Sequence, residues 1–188
     1  MKDIEIIEKC VAGEKEYFGK LYDKYIDKIY KYIYLKTSSK EIAEDITQDV
    51  FLSALDKIDT FQIDEQSNVN AWFYRIAHNK VINFYKANKE DENIWDYLDV
   101  GIHQDFWQDL DNKNKLQEVL SVLKTVQTEH REIIMLRIWE DLSYKEIAEM
   151  TGKSVSNCKK IVSRVLLLIS AQFIFFGFLI LNLLWKIL

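Results

Sequence analysis

The 188-residue chain has no proline and only five glycines. Folds made of many short strands spend both residues on their turns, so this scarcity excludes an all-β sandwich or barrel and favours long helices joined by short polar turns. Collagen-like and flexible-linker compositions are excluded as well. Cysteine is scarce: Cys10 and Cys158 lie far apart, with no Cys-x-x-Cys and no histidine at ligand spacing. Neither a disulfide framework nor a zinc site is signalled, and two such thiols suit a reducing cytosol. The three histidines, His78, His103 and His130, are scattered, and there is no P-loop, no G-x-S-x-G and no carboxylate–histidine set at metal spacing. Each histidine therefore reads as a surface or half-buried residue, and the chain as a non-enzyme that needs no metal or cofactor. The first ten residues carry acids and lack the basic n-region and cleavage site of a signal peptide.

Hydrophobic residues make up 48% of the chain and aromatic residues 13%, enough for two small helical domains. A net charge of −5 opposes indiscriminate binding to nucleic acid, but the charge is unevenly placed. Residues 41–70 hold eight acids and one base, residues 71–90 four bases and one acid, and residues 91–118 eight acids and two bases. Residues 153–164 hold four bases, Lys153, Lys159, Lys160 and Arg164, and no acid. Two basic patches between acidic stretches suggest two local contacts with an anionic polymer and acidic surface left for another partner. Solvated helix faces with accidental clustering are the plainer reading of the same counts.

One long uncharged run stands out, residues 165–185, followed by Lys186. As a helix rising ~1.5 Å per residue it spans ~30 Å, about one bilayer core. The cations before it, with Trp185 and Lys186 beyond it, fit a tail anchor whose N-terminal body lies on the cytoplasmic side of the inner membrane. The competing reading is a buried core helix; in a third, Val165, Leu166 and Ile169 continue the apolar face of the preceding helix and a shorter span begins near Leu167.

Apolar residues recur at three and four upstream. Ile4, Ile7 and Val11 predict a first helix; Phe18, Leu21, Tyr22, Tyr25, Ile29, Tyr32 and Ile33 a second. Ser38 and Glu41 form a capping-box pattern that opens a third helix through Ile42, Ile46, Val50, Phe51 and Leu55 to about Ile58. A polar loop covers residues 59–68. Val69, Trp72, Phe73, Ile76 and Phe84 stripe a fourth helix, with Arg75, Asn79, Asn83 and Lys86 along its other face. The acidic stretch 91–111, with Trp95, Tyr97, Phe106 and Trp107, reads as a linker that docks against something. Leu116, Val119, Leu120 and Leu123 mark a further helix, and Ile133, Ile134, Leu136 and Ile138 the next. Ser143 with Glu146 is a second capping box, Gly152 a left-handed turn residue, and Ser154 restarts a helix. This is a helix-turn-helix pattern: Ala148, Ile147, Cys158 and Ile161 face inward, while Ser156, Asn157, Lys159, Lys160, Ser163 and Arg164 face outward, where a recognition helix meets a major groove. A helical hairpin without a DNA role has the same pattern.

Three motifs occur in order: A-E-D-I-T-Q-D-V-F over residues 43–51, A-W-F-Y-R-I-A-H-N over 71–79, and L-S-Y-K-E-I-A-E-M-T-G-K-S-V over 142–155. Together they resemble the extracytoplasmic-function sigma factors of the sigma-70 family, across nearly the whole chain before the uncharged run. The resemblance implies an all-α protein with a sigma-2-like helical bundle over residues 1–90, an acidic linker over 91–112 and a sigma-4-like helix-turn-helix domain over 113–168; the transmembrane helix over 167–188 is read from the uncharged run and lies outside the family's usual pattern.

It also implies roles. Asp45, Gln48 and Asp49 would bind the clamp coiled coil of RNA polymerase core, whose flap would take the second domain. Asn79, Lys80, Asn83 and Lys86 would capture the opened minus-ten element, with Phe61 and the rest of residues 61–68 shaping a base pocket. Opening DNA without ATP needs stacking, amide and phosphate contacts to unpaired bases. Ser156, Asn157, Lys159, Lys160, Ser163 and Arg164 would read the minus-thirty-five element. Trp72 reads as core. Where Asn83 and Lys86 stand the family often has Asp and Arg, and where Cys158 stands it prefers Val or Ile; Cys158 reads as a small buried hydrophobe. An anti-sigma protein is a further partner the family admits. The rival reading is a membrane-anchored helix-turn-helix regulator that never joins polymerase; it leaves the first two motifs unexplained.

Overall fold

A computed structural model of the chain describes residues 1–64, 67–88, 121–138 and 140–187, apart from the side chains of Asn88 and of residues 172–187. Every regular element among the described residues is helical. The chain divides into two units, Met1–Gly101 and Ile102–Leu188. The expected linker, with His103, lies outside the described residues.

In the first unit α1 (Asp3–Val11) leads through a 3-10 turn to α2 (Phe18–Thr37), α3 (Lys40–Lys57), a second 3-10 turn (Ile58–Thr60) and α4 (Val69–Asn88). Helices α2, α3 and α4 pack on one another, and α1 closes against α2 and the second 3-10 turn. Phe73, fully buried, is the centre: its ring stacks on Tyr25 at 4.9 Å and meets Phe51 at 5.2 Å and Phe18 at 6.4 Å. Each such ring contributes roughly 1.5–3 kcal/mol by leaving water, which is why aromatic positions dominate the stripes. The Tyr25 hydroxyl donates to the Asp3 carboxylate, which also takes the Lys24 ammonium at 2.6 Å, tying α1 to α2.

Details of the stripes differ from the expectation. Helix α1 buries Ile6, Ile7 and Cys10, whereas Val11 is exposed and Ile4 half-buried. Helix α4 buries Val69, Phe73, Tyr74, Ala77, His78 and Val81, while Trp72, Ile76 and Phe84 are only half-buried. His78, expected at the surface or half-buried, is 2% exposed with its Nδ1 3.3 Å from the Tyr32 hydroxyl. Helices α2 and α3 close around one face of α4, and a polar residue on that face needs an internal partner.

The α2–α3 junction also departs from the capping box expected at Ser38 and Glu41. Ser38 ends α2 instead, in the left-handed region at φ 52°, with its N–H on the Tyr34 carbonyl at 2.8 Å. Ser39 is the N-cap of α3, its Oγ accepting from the Ile42 N–H at 3.4 Å. Two residues make the whole turn, so one serine must stop the first helix and only the other can start the second.

In the second unit the helical residues 121–125 precede α5 (Thr128–Ile138), α6 (Tyr144–Thr151) and α7 (Val155–Ile187). Leu123, Ile133, Ile134, Leu136, Leu142, Ile147, Cys158, Ile161, Val162 and Val165 are buried. Ile138, expected in the stripe, is 50% exposed because the chain turns away from the core there. Helix α7 runs 33 residues without a break, from the turn after α6 into the uncharged run. Among the described residues no helix is long and apolar enough to cross a membrane; the side chains of residues 172–187, most of the expected tail, lie outside them.

Candidate nucleic-acid interface

The first unit holds one set of expected site residues on α4. Asn68 caps it, its Oδ1 accepting from the Ala71 N–H at 3.2 Å. With the opposite face packed on α2 and α3, Arg75, Asn79, Asn83 and Lys86 are turned to solvent in one row, as their spacing requires. Lys80 is different. One residue on from Asn79, it is drawn toward α3, where its ammonium lies 3.4 Å from the Asp49 carboxylate. A residue expected to meet DNA and one expected to meet polymerase thus share an ion pair.

The loop before α4 supplies aromatic surface. Phe61, half-buried, lies edge-on to Trp72 at 5.1 Å, and Trp72 in turn on Phe73 at 5.3 Å. Trp72 is therefore not a core residue as expected but the half-exposed rim of the core, beside the amide row. The loop backbone is held by Ser67, whose hydroxyl accepts from the Asp64 N–H at 2.7 Å and donates to the Gln62 carbonyl at 2.6 Å.

On α3, Asp45, Gln48 and Asp49 are all exposed, with Glu41 and Glu44 on the same side. The opposite face buries Ala43, Ile46, Val50, Phe51 and Ala54. Beside these acids lies a feature that the sequence reading missed, an open groove of about 670 Å³ between α2 and α3. Phe18, Tyr22, Phe51 and Leu52 line it, and Asp27, Glu44 and Gln48 edge it. Tyr22, which its stripe places near the core but the packing leaves 43% exposed, and Leu52, apolar yet 53% exposed, are the signal.

In the second unit the turn geometry follows the expected pattern. Ser143 Oγ accepts from the Glu146 N–H at 3.3 Å, and the Glu146 carboxylate accepts from the Ser143 N–H at 2.6 Å. Gly152 is left-handed at φ 68°, and Ser154 caps α7 by accepting from the Asn157 N–H at 3.2 Å. Cys158, Ile161, Val162 and Val165 bury one face of α7 against α5 and α6. Ser156, Asn157, Lys159, Lys160, Ser163 and Arg164 are all exposed on the remainder. Lys153, counted with this basic patch, is withdrawn from it: its ammonium is 2.8 Å from Glu129, and both side chains are largely covered. Arg137 and Tyr144 flank the patch, Arg137 5.2 Å and the Lys159 ammonium 5.8 Å from the Tyr144 ring centre. Cys158 is fully buried as expected; burial pushes its thiol up from the ordinary 9.0, and that of Cys10 likewise.

The arrangement presents one amide and cation row beside aromatic edges in the first unit, and one hydroxyl, amide and cation face in the second. Comparison with known proteins finds a family model for each unit. The family model described as Sigma-70 region 2 matches residues 21–90, and that described as Sigma-70, region 4 matches residues 116–169. The chain is similar to the ECF RNA polymerase sigma factor BldN of Streptomyces coelicolor, 31% identical over 165 residues; it covers 62% of that protein's length, and the match takes in 86% of this chain. It is also similar to the RNA polymerase sigma factor YlaC of Bacillus subtilis, 30% identical over 148 residues, 77% of this chain and 84% of the relative. Among solved structures, that of CnrH in complex with the cytosolic domain of CnrY has a TM-score of 0.59 at 22% identity, covering 91% of this chain and 96% of that one. The sigma factor RpoE of Bartonella quintana, in complex with the anti-sigma factor NepR, has a TM-score of 0.57 at 22% identity, covering 83% and 96%. These two likenesses show the fold.

Proposed function

Because the chain belongs to the sigma-70 family, among the RNA polymerase sigma factors of the extracytoplasmic-function type, we propose that it directs promoter recognition and strand opening as a dissociable, non-catalytic subunit of bacterial RNA polymerase. The observation that carries this reading is the pair of exposed faces, one on α4 and one on α7, each backed by a helix side buried in its own unit.

In the first unit the Phe61 and Trp72 edges offer stacking surface to unpaired bases of the minus-ten element, Asn79 and Asn83 offer amides to base edges, and Lys80 and Lys86 offer charge to phosphates. Such contacts exist only once the strands part, so their binding energy favours the open state without ATP. In the second unit Ser156, Asn157 and Ser163 suit base edges of the minus-thirty-five element, and Lys159, Lys160 and Arg164 suit phosphates or guanine. Asp45, Gln48 and Asp49, with the adjoining groove, offer an acidic and apolar docking surface to polymerase core, and the second unit would engage its flap. The functional domains correspond to residues 1–90, a linker over 91–112 and residues 113–168. The sigma factor RpoE is held by the anti-sigma factor NepR, and CnrH by the cytosolic domain of CnrY, as their descriptions state; an anti-sigma protein is the corresponding partner for this chain.

The uncharged run 165–185 supports a further element, a single span over residues 167–188 that holds the protein on the cytoplasmic face of the inner membrane. Arg164 and the lysines before it stand on the side that the positive-inside rule assigns to the cytoplasm.

Run-off transcription with bacterial core polymerase, a promoter library and the full chain in detergent micelles tests the reading. Start sites that require the chain, and that weaken on Asn79→Ala or Asn83→Ala substitution without loss of core binding, are the expected result. Absence of core binding and of initiation, with specific duplex binding retained, would replace it with an anchored DNA-binding regulator.

A further inference from the structure

The surface of α7 changes character within two residues. From Ser156 to Arg164 its exposed positions are hydroxyl, amide and basic; at Leu166, Leu167 and Leu168, 44%, 67% and 53% exposed, they become apolar. Among the described side chains of α7, Val165 is the last that the second unit buries. Three consecutive leucines point around most of a helix's circumference, so no single packed face can cover them, and a helix apolar on all sides calls for a lipid environment. Because α7 is continuous from Val155 to Ile187, no hinge separates the DNA-reading face from the apolar segment.

Axial distances then follow from helix rise. With the hydrocarbon boundary at Leu166, Arg164 stands ~3 Å above it, Lys160 ~9 Å and Ser156 ~15 Å. The headgroup layer of a bilayer is roughly 5–8 Å deep on each side. Arg164 therefore lies inside that layer and Lys160 and Lys159 at its outer edge, where lipid phosphates are the nearest anions. A recognition helix must sink into a groove ~8.5 Å deep with duplex on both sides of it, and a bilayer at the foot of the same helix occupies that space.

We infer that the Lys159, Lys160 and Arg164 turn is a surface for anionic lipid headgroups as well as for DNA, and that the two uses exclude each other. Inserted, the chain is a reserve that does not read the minus-thirty-five duplex; reading requires the second unit to separate from the bilayer. This rests on the tail being a membrane span, as proposed above. The device needs no second protein, since the competition is between two polyanions for the same three cations.

The test uses the full chain and a duplex selected against it in zwitterionic detergent micelles. The chain is then placed in vesicles of phosphatidylcholine with phosphatidylglycerol, flotation confirms insertion, and duplex affinity is read by fluorescence anisotropy. Affinity is expected to fall at least about tenfold on the vesicles, as headgroup phosphates take the cations. A Gly/Ser segment of about 20 residues between Val165 and Leu166, with a root-mean-square reach of ~25 Å, should return affinity on vesicles to the micelle value. Inserted chain that binds duplex equally well on vesicles and micelles overturns the inference, as does a loss that the spacer leaves unrepaired. Failure to float overturns the tail reading itself, and the inference with it. A fluorophore on Ser163→Cys gives a second readout that needs no spacer: quenching by a headgroup nitroxide supports the geometry, and its absence overturns it.

Discussion

Single residues in this protein show how the same chemistry can be legible or hidden. Cys158 stands at a helical spacing that brings it to the inner face of α7, and it is fully buried there; Cys10 is equally buried on α1. Burial raises both thiols above the ordinary 9.0 and raises the Tyr85 hydroxyl above 10.0; at Tyr25 burial leads and the hydrogen bond to Asp3 adds to it. The unfolded chain therefore loses these protons at lower pH than the native one. Their contribution to stability is whole below pH 9 and is lost as pH rises through 9 and 10 toward the native values. The urea midpoint is expected to drop between pH 8 and pH 10.5, and Cys158→Val should reduce the part of that drop that belongs to the second unit. A midpoint that stays flat over this interval, in chain protected from oxidation, would contradict the burial assigned to these groups.

At the scale of elements, the short connections decide where helices begin. Ser143 and Glu146 form their box because the chain before them is irregular and leaves the cap free to adopt extended backbone. The same pattern at Ser38 and Glu41 fails because Ser38 is already committed to ending α2 at φ 52°. A left-handed conformation costs a non-glycine residue about 1–2 kcal/mol, and glycine returns part of that through unfolded-state entropy. Ser38→Gly should therefore raise stability by up to about 1 kcal/mol, while Ser39→Ala should lower it by about 1 kcal/mol through loss of the cap. Denaturant titrations of the two variants check both signs; a destabilised Ser38→Gly would place the cap at Ser38 after all. The helix stripes themselves were readable from spacing, but their centres were not: Trp72 and Tyr22 sit at the edges because more than one neighbouring helix determines which side of each is closed.

For the whole molecule the decisive quantity is where charge is left over. The chain is acidic, with a net charge of −5, so long-range attraction to DNA is weak and binding depends on local cations. Lys159, Lys160 and Arg164, the cations proposed to meet DNA, are exposed, while Lys153 is neutralised by Glu129. Each phosphate contact contributes about 0.9 to the slope of log affinity against log salt. Lys160→Gln should lower that slope by about one and weaken all duplexes alike, whereas Lys153→Gln should leave it unchanged. Equal effects from the two lysines would show that the Lys153–Glu129 pair does not persist in solution.

The residues themselves determined the helical class, the order of elements, the turn of the helix-turn-helix and the outward faces of α4 and α7, because these depend on periodicity and on local capping chemistry within a few positions. Only the tertiary structure decided which cations are spent on ion pairs, as with Lys80 on Asp49 and Lys153 on Glu129, that His78 is internal, and that Tyr22 and Leu52 open a groove instead of filling a core. Those outcomes depend on partners 24 to 46 positions away in the chain, whose approach no local pattern encodes.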